Sequence, residues 1–164
     1  MRVGLISDTH GLLRPEVFDR LSGVDRILHA GDVGGPEILA DLSALAPVAA
    51  VWGNTDGWAL RAAAAESLEV ELDGVRFAVA HGHLVSEFDR LPLLFPDARV
   101  VVHGHSHVPG RRRVGDAWLV NPGSAGPGGE GWPPSVAIAE LDGASGAVER
   151  IVHLDLRTGR VLDL

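Results

Sequence analysis

Five short apolar runs, at residues 3–6, 26–30, 48–52, 75–80 and 99–102, each stop at or just before a glycine, aspartate, asparagine or histidine. Runs of this length, rich in valine and leucine, read as strands buried on both faces and are too short for core helices. Residues 14–21 and 36–45 lie between the early runs and carry apolar side chains at helical spacing. Pro15 and Pro36 stand where a first helical turn tolerates proline. The alternation of strand and helix predicts crossover connections and a parallel core.

The second half has a different grammar. Asp73-Gly74 separates two strand-like runs and is a strong two-residue hairpin signal, and Gly115-Asp116, Asp142-Gly143 and Ser145-Gly146 mark further hairpins. Residues 87–95 read as a helix interrupted by Pro92, and the glycine- and proline-dense stretch 121–134 as a loop. Together these elements predict an α/β chain whose mixed sheets stack and are flanked by helices.

A length of 164 residues suits one domain spanning 1–164, and 46% hydrophobic with 22% charged residues places it among globular chains. Without cysteine there can be no disulfide, thiolate metal site or thiol nucleophile. The N-terminal run meets Asp8 too soon for a signal peptide, and no stretch is long enough to span a bilayer, so a cytoplasmic protein without membrane partners is expected. Twenty-two acidic against 14 basic residues give a formal charge of -8, which excludes a broad nonspecific nucleic-acid surface.

Chemistry gathers where the runs end. Asp8 and His10 follow the first, Asp32 the second, Asn54 the third, His81 the fourth, and His105 and His107 the fifth. In an open α/β sheet the carboxyl ends of strands share one rim, and ligands bind there. Seven oxygen and nitrogen donors exceed the roughly four that one tetrahedral ion takes, so they suit a pair of ions with Asp32 as the bridge. Hard oxygen and borderline nitrogen without sulfur favour manganese, iron or zinc over calcium.

Each signal alone has a plainer explanation. Asp-x-His is usually a turn with a surface imidazole, and Gly-Asp and Gly-Asn are ordinary turn chemistry. Jointly, buried Asp and His clustered without a cation would leave polar groups uncompensated, and the cluster makes physical sense around metal. His83 is a candidate to line the pocket. Strand alternation turns His103 away, His29 is a support for Asp32 or a packed core residue, and His153 is expected at the surface. Arg111, Arg112 and Arg113 read as a solvated strand edge, and Trp52 and Trp58 as core packing.

The ordered segments Asp8-Thr9-His10, Gly31-Asp32-Val33-Gly34-Gly35, Gly53-Asn54-Thr55-Asp56, His81-Gly82-His83 and Gly104-His105-Ser106-His107 resemble the signature of calcineurin-like metallophosphoesterases. With Asn121-Pro122-Gly123-Ser124 behind them, they are similar to the small bacterial and archaeal phosphodiesterase subfamily, which also resembles the metal-free scaffold subunit of retromer. The resemblance implies a two-sheet β-sandwich flanked by helices, in an α/β/β/α arrangement. It implies Asp8, His10, Asp32 and His107 on one ion, and Asp32, Asn54, His81 and His105 on the other.

The implied activity is hydrolysis of phosphate esters, above all diesters, through a hydroxide bridging two divalent ions. Manganese is preferred, with iron, zinc, nickel or cobalt as alternatives, and Asp32, Asn54 and His81 are the catalytic residues. Many family members carry histidine where this chain has Thr55, whose hydroxyl cannot supply a proton near neutral pH; esters with good leaving groups are therefore expected. Asp56 would orient Thr55 or a ligand from behind. The alternatives are a non-catalytic interaction scaffold on the same fold, or a phosphodiesterase specific for nucleotides or nucleic acid. A homo-oligomer through exposed edge strands is compatible with either.

Overall fold

The computed structural model describes Met1–Leu164. Its strands are β1 (Arg2–Ile6), β2 (Arg26–His29), β3 (Val48–Ala50), β4 (Ser67–Leu72), β5 (Val75–Ala80), β6 (Val100–Val102), β7 (Gly110–Val114), β8 (Ala117–Asn121), β9 (Ser135–Asp142) and β10 (Ala147–Asp155). The helices α1 (Glu16–Arg20), α2 (Pro36–Leu42), α3 (Trp58–Ala63) and α4 (Leu91–Leu94) are all short. No helix is long and apolar enough to cross a membrane.

Two five-stranded sheets form, in the orders β10-β9-β1-β2-β3 and β4-β5-β6-β8-β7. β1, β2 and β3 run parallel, as do β5, β6 and β8, while β9 joins the first sheet antiparallel to β1. The Asp73-Gly74 turn closes the β4–β5 hairpin with Leu72 opposite Val75.

Strand periodicity of two explains the layering. Val3 and Leu5 of β1, Leu28 of β2, Phe77 and Val79 of β5, and Val100 and Val102 of β6 fill one cluster between the sheets. Their neighbours point the opposite way. Ile6 and Ile27 meet Val17 and Leu21 of the α1 region, Ile38 and Leu42 of α2 and Leu60 of α3. On the far side, Ala78 and Val101 meet Leu91 of α4. The result is the expected helix, sheet, sheet, helix stack, with every parallel strand covered on both faces.

Three expectations change in detail. Pro92 does not interrupt the 87–95 helix: a 3-10 turn at Phe88–Arg90 leads into α4, whose first turn accepts the proline. His153 is fully buried, because β10 turns it inward, where it contacts the Asn121 carbonyl at 2.8 Å. Trp58 does not pack in the core; it begins α3 and is 84% exposed.

Candidate metal centre

The loops that leave β1, β2, β3, β5 and β6 meet at one rim. The β1 and β2 loops continue the strand ladder, with Asp8 N–H donating to Gly31 C=O at 3.0 Å and His10 N–H to Asp32 C=O at 2.9 Å. The Gly104 N–H likewise donates to the His81 carbonyl at 3.1 Å. Backbone pairing thus holds the donors before any side chain contributes.

Close approach requires glycine at two places. A Cβ at Gly53 would overlap the Asp32 carboxylate, and one at Gly104 would overlap the Ser7 hydroxyl beside Asp8. The backbone is also strained here. Asp8 (φ 54°), His10 (48°), Asp32 (51°), His105 (69°) and His107 (59°) all occupy the left-handed region. Asp73, in a hairpin turn, is the only other non-glycine there. Such conformations cost about 1–3 kcal/mol each and cluster at functional sites.

The donors converge in two groups. Asp8, His10 and His107 form one, and Asp8, Asp32 and His81 the other, with ligand atoms within 4.8 Å of one another in each. Asp32 Oδ2 lies 3.8 Å from His10 Nε2 and 3.4 Å from His81 Nε2, between the groups. Asn54 Oδ1 joins at 3.1 Å from His81 Nε2. His105 stands outside both groups: its N–H donates to the Asp8 carboxylate, while its ring packs 5.2 Å from that of His81.

Each converging imidazole has its other nitrogen occupied. His81 Nδ1 faces the Ala30 carbonyl at 2.8 Å, His107 Nδ1 the Gly128 carbonyl at 3.3 Å, and His10 Nδ1 the Thr55 hydroxyl at 3.4 Å. With Nδ1 engaged outward, all three Nε2 atoms face the carboxylates, where a proton or a cation can stand between them. A divalent cation fits this donor set.

Residues 1–144 match the calcineurin-like phosphoesterase superfamily domain. The chain belongs to that superfamily. A probable metallophosphoesterase of Methanothermobacter thermautotrophicus is 37% identical, covering 97% of this chain and 94% of that protein. A phosphodiesterase of Methanocaldococcus jannaschii is 29% identical over 75% of this chain and 83% of its own. Among solved structures, Vps29 of Entamoeba histolytica in complex with zinc superposes with a TM-score of 0.73 at 25% identity, covering 95% of this chain and 99% of that one.

Electrostatics at this rim follow from the packing. Burial alone would raise the Asp32 carboxyl, but hydrogen bonds from His81 and the Thr55 N–H hold it well below the usual carboxylate range. Burial opposes charge on His81, yet Asp32 and Asp8 beside it push its pKa up. The hydrogen bond to Asp8 raises His107 in the same way.

The surrounding residues divide by contact. The Asp56 carboxylate accepts the N–H groups of Val33, Gly34 and Gly53 at 2.8–3.1 Å, tying the β2 and β3 loops together. His29 does support the rim: its Nδ1 accepts the Gly31 N–H, and its Nε2 meets the Thr9 hydroxyl, which donates to the Val33 carbonyl. His103 is buried and stacks on Phe88, away from the donors. Arg111, Arg112 and Arg113 lie exposed on edge strand β7.

Sequence reasoning did not assign roles to Asn121 and Ser124. The Asn121 amide donates to the Gly104 carbonyl and the Ser106 hydroxyl, both at 3.0 Å, bracing the loop that carries His105 and His107. Ser124 Oγ donates to the Asp8 carbonyl at 2.9 Å and accepts the Gly128 N–H at 3.2 Å. Their signal was the motif 121–124 directly after a strand.

Proposed function

We propose that the chain is a dinuclear metal-dependent phosphodiesterase. Asp8, His10, Asp32 and His107 would hold one divalent ion, and Asp32, Asn54, His81 and His105 the other. The observation that carries this reading is the placement of Asp32 Oδ2 within 4 Å of both His10 Nε2 and His81 Nε2. When bound, such ions supply Lewis acidity that activates water and neutralises phosphate charge.

The protein's own part is positional. Asp8 and Asp32 are buried, hydrogen bonds keep Asp32 anionic, and Ala30, Gly128 and Thr55 fix the tilt of three imidazoles. Asn54 presents its amide oxygen toward His81. Arg61 is committed to the carbonyls of Asn54 and Asp56 and to the face of Trp52. Thr55 offers His10 an acceptor and no proton to a departing alkoxide, which favours esters whose leaving group is already stable as an anion.

Bis(p-nitrophenyl) phosphate and p-nitrophenyl phosphate test the reading directly. Hydrolysis with added Mn²⁺, stopped by EDTA, is expected. Asp32→Asn should lower turnover at least about 100-fold with an unchanged circular dichroism spectrum. No turnover with Mn, Fe, Zn, Ni or Co would contradict the proposal. That outcome would favour the second reading, an interaction scaffold, which the likeness to Vps29 supports.

A further inference from the structure

Beside the donor cluster lies a small, partly open cavity of about 90 Å³ that the metal ligands do not explain. Its walls come from the start of β4, the end of β5, residues 82–85 and α4. His81 belongs to both this cavity and the donor cluster, so the two spaces share a wall.

The lining is chiefly apolar, with Val85, Leu91 and Phe95 inside and Leu84 and Leu94 at 66% and 62% exposure. Apolar walls with a few placed polar groups are the usual make-up of a small-molecule subsite. The polar group here is His83. Its Nδ1 is buried with no hydrogen-bond partner, although its ring packs 5.3 Å from Trp52 and 5.4 Å from His81. That atom is closed off from solvent, so a molecule in the cavity meets the imidazole ring of His83 and not Nδ1.

Charge narrows the occupant further. The ionisable residue at the cavity edge, apart from the histidines, is Glu66, and no lysine or arginine lines the space. A second phosphate, or the phosphate chain of a nucleotide, would meet a carboxylate there. An uncharged ring would meet leucine, valine and phenylalanine.

We propose that this cavity is a substrate subsite that receives an uncharged, aryl-type substituent of a phosphodiester, packed against the His83 ring and the apolar wall. This rests on the phosphodiesterase reading and names the class of diester it takes. It accords with Thr55 as well, since an aryloxide leaves without a strong proton donor.

The test separates the subsite from the activity by using the chelated protein. Diphenyl phosphate and dimethyl phosphate are titrated separately and followed by amide chemical shifts in a ¹⁵N-labelled sample. Diphenyl phosphate is expected to shift residues 82–85 and 91–95 and to bind about tenfold more tightly than dimethyl phosphate. Leu94→Glu, at an exposed position, should remove most of that difference while the remaining spectrum is kept.

Equal binding of the two diesters, shifts confined to other surfaces, or unchanged binding by Leu94→Glu would overturn the subsite. With Mn²⁺ restored, bis(p-nitrophenyl) phosphate should show a KM at least about fivefold below that of methyl p-nitrophenyl phosphate. Equal KM values also count against the subsite. Aryl binding without hydrolysis by any metal would sink the phosphodiesterase reading alone.

Discussion

The Nε2 atoms of His10 and His107 lie 3.1 Å apart, and His107 Nε2 is a further 3.3 Å from Asp8 Oδ1. Both rings direct Nδ1 elsewhere, so two lone pairs would face each other unless a proton or a cation stands between them. Asp8 raises the pKa of His107, so this ring holds a proton more readily than a free imidazole. Divalent metal competes with that proton for Nε2.

Metal binding should therefore release protons, and affinity should rise with pH through the histidine range. Calorimetry in buffers of different ionisation enthalpy would read this. About one proton or more per chain is expected to be released at pH 7; no release would mean that the rings are already neutral and turned apart.

Ser124 closes a ring of contacts through the same half of the centre. From the Asp8 carbonyl the path runs through Ser124 Oγ, the Gly128 N–H and carbonyl, and His107 Nδ1 back to the Asp8 carboxylate. Ser124→Ala leaves the Gly128 N–H unpaired and takes from the Asp8 carbonyl one of its two donors, the Gly126 N–H remaining, and should cost about 1–3 kcal/mol of stability. It should also weaken metal binding about 10-fold or more. Calorimetric titration at a temperature where the variant remains folded checks this, with Ser145→Ala in an exposed turn as the control. Equal affinities would reduce Ser124 to a folding role.

Three buried histidines set the acid limit of the fold. Burial pushes His29, His103 and His153 down from 6.5 to about 4. The unfolded chain binds these protons first as pH falls, so their contribution to stability is complete above about pH 6.5 and is lost progressively toward pH 4. Each contributes up to about 1.4 kcal/mol per pH unit within that window. His81 and His107, raised in the folded state, gain protons above the window and do not offset the loss inside it. Urea unfolding of the chelated protein between pH 7.5 and 4.5 should show the decline, and His153→Gln should flatten it by about one proton. A flat profile would mean that these rings reach solvent.

The parallel strands were legible because both their faces are covered, which leaves uninterrupted runs such as Val100-Val101-Val102. Donor convergence was legible because the carboxyl ends of such strands share a rim. Other features left little trace. Helix α3 buries only Leu60, so no apolar period announces it. The edge strand β7 starts at Gly110 and carries three exposed arginines, where hydropathy gives no cue. His153 looked like a hairpin surface residue because burial on β10 depends on which face meets Asn121, a long-range relationship.

Least visible was the left-handed backbone at Asp8, His10, Asp32, His105 and His107. Sequence rules assign that conformation to glycine, and only coordinates show aspartate and histidine adopting it to aim their side chains. Asp56 illustrates the same limit. Its position beside Thr55 suggested a side-chain partner, whereas its carboxylate gathers three backbone N–H groups from two loops.

Anomalous diffraction from crystals soaked in MnCl₂, with data collected on the high-energy side of the manganese absorption edge, tests the dinuclear centre most directly. Two peaks about 3.5–4 Å apart, with Asp32 between them and Asp8 and His81 on opposite sides, are expected. A single peak, or manganese bound away from Asp8, Asp32 and His81, would contradict it.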